Sequence, residues 1–87
     1  MSKIVTYDLC APNRDYTDLI NAIKSYPGWA HICESSWLIV SDRSCVAIRD
    51  HLKSYIDSND RIFVASLTGE AAWYNVICDP NYLKQNL

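Results

Sequence analysis

From Lys3 to Leu9 apolar and polar positions alternate, with Val5, Tyr7 and Leu9 on one face and Ile4, Thr6 and Asp8 on the other, the two-residue period of a strand. Ala11-Pro12-Asn13-Arg14-Asp15 then brings turn chemistry and a helix cap, since Asp15 or Thr17 can accept from the free amides of a first turn. Tyr16, Leu19, Ile20 and Ile23 follow at i, i+3, i+4 and i+7, an apolar stripe on a helix that Pro27-Gly28 ends. β-Branched and aromatic residues return from Trp29 to Ser41, interrupted by Glu34-Ser35-Ser36. Two strands are predicted there, Trp29 to Cys33 and Trp37 to Ser41, joined by a tight hairpin without the usual glycine. Asp42-Arg43-Ser44 caps a second helix whose Cys45, Ile48, Leu52, Tyr55 and Ile56 keep helical spacing until Ser58-Asn59-Asp60. Arg61 to Leu67 is a strand apolar on both faces, which predicts a central or covered position, and Thr68-Gly69 breaks it.

Strand, helix, strand, strand, helix, strand is two split strand-helix-strand units, and it predicts an α+β domain with a ferredoxin-like βαββαβ sandwich and a C-terminal extension. Both helices lie on one face of an antiparallel sheet. The crossovers are read as placing the first and last strands side by side in the middle, with the second and third outside them. Val5, Tyr7 and Leu9 face the helices; Ile4, Thr6 and Asp8 face away. The open face needs a cover, and a second copy of the sheet is the simplest one, so a homodimer is expected.

Eighty-seven residues make a single domain, residues 1–87. With 49% hydrophobic residues, three Trp and six Tyr it can build a core, but a small one. The start of the chain lacks the apolar run of a signal peptide, and no window approaches the ~20 apolar residues of a membrane span, so a soluble cytoplasmic protein without membrane contact is expected. Cys10, Cys33, Cys45 and Cys78 form no C-x-x-C pair, and are read as reduced, mostly buried packing residues. Eight basic against ten acidic residues give a net charge of −2, which argues against a broad phosphate-neutralising surface.

YDL at the end of the first strand, WAHICESSWLIVSD and RIFVASLTGEAAW, each in its place among two helices, resemble the CRISPR-associated "Cas two" superfamily, and more closely its stand-alone SinR-like relatives. The resemblance covers roughly residues 3–73 and rests on element order more than on its short motifs. It implies a ferredoxin-like homodimer in which the Asp ending the first strand, here Asp8, faces its counterpart across the dimer. In members reported as nucleases that pair holds a divalent metal. It also implies a C-terminal segment, here residues 74–87, that pairs at the dimer interface. The chain departs from those relatives in its acidic balance and scattered Arg and Lys.

Two carboxylates brought together by a two-fold axis repel unless a proton or cation bridges them, so a pair of Asp8 residues would suit Mg2+ or Mn2+, and such a metal could activate water for phosphodiester cleavage of RNA or DNA. The competing reading makes Asp8 a turn residue accepting amides from Ala11 to Arg14. Asn13, Arg14, Arg43 and Arg61 are candidate phosphate contacts, although for Asn13 and Arg14 a solvated turn is the more usual explanation. His31 is read as an edge-strand surface residue, and Trp37 and Trp73 as core or interface anchors. No Gly-rich phosphate loop or organic-cofactor motif occurs. Two functions therefore stand side by side: a metal-dependent nuclease or nucleic-acid-processing factor acting through Asp8, and a catalytically silent dimeric adaptor binding a protein or nucleic acid.

Overall fold

The computed structural model describes residues 1–10 and 15–87; the candidate contacts Asn13 and Arg14, and the turn expected from the sequence there, lie outside the described residues. The elements run β1 (Ser2–Asp8), α1 (Thr17–Lys24), β2 (Gly28–Cys33), β3 (Ser36–Val40), α2 (Cys45–Lys53), β4 (Arg61–Ser66) and α3 (Pro80–Gln85). This is the expected α+β, βαββαβ order, with one further helix in the C-terminal extension.

Local chemistry explains the helix ends. Asp15 accepts from the Thr17 amide at 2.9 Å and also from its hydroxyl, so α1 begins at Thr17. Asp18 in its first turn and Lys24 in its last complement the helix dipole. Ser44 caps α2 by accepting from the Ala47 amide at 3.0 Å. Asp79 accepts from the Asn81 amide at 2.9 Å, with Pro80 at the first position of α3.

The sheet order is β2-β3-β1-β4, all antiparallel. β1 and β3 are central, not β1 and β4 as the sequence reading had it. Each crossover helix joins two parallel strands with a gap one strand wide between them. β3 fills the gap left by β1-α1-β2, and β1 fills the gap left by β3-α2-β4, which leaves β2 and β4 as edges. β4 is therefore neither central nor covered on both faces; Phe63 is 62% exposed.

Val5, Tyr7, Trp37 and Ile39 of the sheet meet Leu19, Ile23, Ile48 and Leu52 of α1 and α2 in the main core. Each such buried aliphatic side chain contributes roughly 1.5–3 kcal/mol of transfer free energy. Trp37 donates its indole N–H to the Tyr7 hydroxyl at 3.0 Å inside this core, so both polar ends are satisfied. Lys3 is 4% exposed at the start of β1, its ammonium donating to the Ser41 carbonyl at 3.0 Å.

On the other face a second cluster forms. Ala30 and Leu38 are covered by Leu83 of α3, with Trp73, Val76, Tyr82 and Leu87 packed around them. The Ile77 amide donates to the Ile32 carbonyl at 2.9 Å, and the Ser2 hydroxyl donates to the Asn86 carbonyl. Gly28 permits the approach of α3: a Cβ there would lie 2.7 Å from the Tyr82 hydroxyl and 2.9 Å from Val40 Cγ2. The chain's own tail thus covers the β2–β3 half of the open face and the start of β1 at Ser2, and the rest of the β1–β4 half has no helix or tail segment over it among the described residues.

Candidate functional site

Asp8 and Arg61 are register partners at the end of β1 and β4, and their side chains project from the face opposite the helices. An Arg61 guanidinium nitrogen lies 3.8 Å from an Asp8 carboxylate oxygen, with side chains 75% and 69% exposed. Along the same strands Thr6 faces Phe63 and Ile4 faces Ala65. Ser36 of β3 donates to the Thr6 hydroxyl at 3.1 Å. The bare half-face is thus an apolar strip centred on Phe63, bounded at one end by a carboxylate–guanidinium pair and along β3 by two hydroxyls.

Asp8 faces the Arg61 guanidinium in an exposed, solvent-screened pair. A divalent cation at Asp8 would sit beside that positive charge, which disfavours its binding. Among the described residues no three His, Cys, Asp or Glu side chains gather into a metal-sized group. The amides of residues 11–14, which the turn reading gives to Asp8, lie outside the described residues; a different carboxylate fastens the neighbouring segment. Asp60 takes the Cys10 amide at 2.7 Å, the Tyr16 hydroxyl at 2.8 Å and the Asp57 amide at 2.8 Å, fastening the segment after β1 to the start of β4. Its position in Ser58-Asn59-Asp60 signalled a turn, but nothing in the spacing tied it to Cys10 or Tyr16.

The candidate phosphate contacts do not form one cluster. Arg61 stands beside Asp8, whereas Arg43 follows β3, whose end pairs with Ser2 at the opposite end of β1, about 20 Å away at ~3.3 Å per residue. Arg43 lines a separate cavity of about 670 Å³ with Ser25, Tyr26, Ser41, Asp42 and His51. There the Tyr26 hydroxyl and His51 Nδ1 are 2.8 Å apart, a pair that sequence periodicity could not join.

His31 lies on the β2 edge, its ring stacked on Trp37 at 4.1 Å and its Nε2 3.1 Å from the Glu34 carbonyl. The Lys24 ammonium stands 5.0 Å from the Trp29 ring centroid, so this aromatic edge is already engaged within the chain. Trp37 is a core residue and Trp73 packs in the tail cluster, the structural roles expected of them. The cysteines differ from expectation: Cys10 and Cys33 are exposed, Cys45 and Cys78 half-buried. They fall at strand and helix ends, where the core is thin. Burial raises the Cys78 thiol pKa.

A comparison with protein-family models finds no match for this chain. No helix among the described residues is long and apolar enough to cross a membrane.

Proposed function

We propose that the protein is a dimeric binding module of the Cas-two-like, SinR-like type, whose working surface is the bare β1–β4 side of the sheet, and that it serves as an adaptor for a protein or nucleic-acid partner. The observation that carries this reading is Phe63, 62% exposed on a strip bounded by the Asp8–Arg61 pair. An apolar centre with a polar rim is the anatomy of a protein interface. The acidic balance, net charge −2, makes any contact with RNA or DNA local and salt-sensitive. Four free thiols support a reducing, cytoplasmic setting.

A second reading keeps one specific observation in its favour: Asp8 ends a central strand and is open to solvent, where a two-fold mate or Mg2+ or Mn2+ could reach it. In that reading Asp8 is both metal ligand and catalytic residue of a nuclease. Cleavage assays on single- and double-stranded RNA and DNA with either metal, wild type beside Asp8→Asn, separate the two. Metal-dependent cleavage lost in Asp8→Asn selects the nuclease; equal inactivity of both proteins selects the adaptor.

A further inference from the structure

Lys3 carries a positive charge into the protein without a negative partner. The residue is buried, its ammonium donates to the neutral Ser41 carbonyl at 3.0 Å, and no carboxylate among the described residues lies within ion-pair distance of it. Buried charges are ordinarily paired, so this one leaves a positive potential at the peptide it touches. Ser41 lines the cavity of about 670 Å³ between the turn after α1, the loop after β3 and His51 of α2.

The side chains around that cavity add donors. The buried Ser41 hydroxyl accepts from the Arg43 amide at 3.1 Å, and its own hydrogen has no acceptor among the described residues. Arg43 makes no ion pair among the described residues. The Tyr26 hydroxyl lies 2.8 Å from His51 Nδ1. The phenol is the stronger donor of the two, so it donates and the imidazole keeps its hydrogen on Nε2, which has no partner among the described residues. Asp42, the carboxylate in the lining, is fully exposed and lies 3.6 Å from the Met1 ammonium.

We propose that this cavity binds a small organic phosphate monoester, its phosphate held by the Arg43 guanidinium, the Ser41 hydroxyl and the His51 Nε2–H. A phosphate monoester carries about −1.5 to −2 charge at neutral pH and three terminal oxygens. That matches two cations, Arg43 in contact and Lys3 behind the Ser41 peptide, and three donor groups. A carboxylate brings a single charge and two oxygens, and leaves one cation and one donor unmatched. The planar fork of arginine suits phosphate geometry. The cavity falls within the roughly 300–1,000 Å³ of small-molecule sites and exceeds what inorganic phosphate fills, so an organic group the size of a ring fits against Tyr26 and Pro27. The site stands at the opposite end of β1 from Asp8 and apart from the β1–β4 face.

An NMR titration of the full chain with phenyl phosphate tests it, with saturable shifts expected at the Ser41 and Arg43 amides and the His51 ring. Arg43→Ala, at an exposed position, should weaken phenyl phosphate ~tenfold, the loss of one charge-assisted contact. His51→Ala should weaken it several-fold. Arg49→Ala, whose side chain lines a different groove beside β4, should leave it unchanged. Phenol should not bind, and inorganic phosphate and benzoate should each bind more weakly than the ester. Absence of saturable shifts with phenyl phosphate overturns the proposal, and so does equal weakening by Arg43→Ala and Arg49→Ala, the mark of unspecific attraction. Benzoate binding as tightly as phenyl phosphate overturns the phosphate assignment, and inorganic phosphate binding as tightly overturns the organic group. Partner binding at the β1–β4 face and cleavage through Asp8 are scored separately, since none of these variants touches either.

Discussion

Trp37 and Tyr7, thirty residues apart, meet inside the main core through a single hydrogen bond of 3.0 Å from indole to phenol. Both residues are buried, Trp37 2% and Tyr7 6% exposed. Replacing one leaves the other's polar atom buried and unpaired, which costs about 1–3 kcal/mol. Tyr7→Phe should therefore lower the unfolding free energy by that amount in urea titration. Tyr7→Phe with Trp37→Phe should cost less than the sum of the single changes, since residues sharing a bond are not additive.

Among the described residues Asp60 receives donors from Cys10, Tyr16 and Asp57, in three different segments. Asp60→Asn keeps one carbonyl oxygen and turns an NH2 towards donors, so at least one pairing is lost, at about 1–3 kcal/mol. Denaturant melts should show the loss, and amide exchange should speed at Cys10 and Asp57 more than in the centre of β1.

Leu83 is 3% exposed beneath the sheet. Leu83→Ala should cost about 2–5 kcal/mol, as buried leucine truncations do. Gly28→Ala pushes on Val40 and Tyr82 from the other side and should cost about 1–3 kcal/mol by overpacking. Both should raise proteolytic cleavage after residue 70 more than cleavage within α1.

The Asp15 carboxyl is held below the usual aspartate pKa, first by the Thr17 side-chain hydrogen bond and then by the Thr17 amide. A lowered folded value means that the carboxylate stabilises the fold at pH above the unfolded aspartate pKa, and that this contribution is lost as pH falls through the lowered value. An NMR titration should place the Asp15 midpoint below that of an unstructured aspartate. In Asp15→Asn the acid-induced loosening of the α1 start should disappear.

Magnesium should leave the melting temperature of wild type and Asp8→Asn equally unmoved if the bare face serves binding alone. The substitution itself should change stability by less than about 1 kcal/mol, because the Asp8–Arg61 pair is solvent-exposed. Differential scanning fluorimetry checks both. A magnesium-dependent rise confined to wild type would return Asp8 to the role of ligand.

The alternation of Lys3 to Leu9 was enough to place Val5 and Tyr7 against the helices, and the stripes of α1 and α2 named Leu19, Ile23, Ile48 and Leu52 correctly, because short-period patterns report directly which side of an element is buried. Strand order was not legible in this way. Val64 and Phe63 are both apolar, and only the crossover geometry tells that β4 is an edge on which one of them lies open. The path of the tail over its own sheet was not legible for a related reason: Leu83, Trp73 and Val76 have no long period, and which surface they cover depends on Gly28 leaving room beneath Tyr82. At the candidate site, the position of Asp8 was readable from the strand end. Its partner Arg61 was not, since cross-strand register joins residues fifty-three positions apart.

The buried ammonium of Lys3 has a practical corollary. An amine-reactive reagent meets Lys24, Lys53 and Lys84 at the surface, but it reaches Lys3 only when β1 parts from the segment after β3, since that side chain is 4% exposed and held by the Ser41 carbonyl. Slow acylation of this one lysine is therefore a chemical clock for the opening of the sheet's centre, readable by mass spectrometry on the unaltered chain.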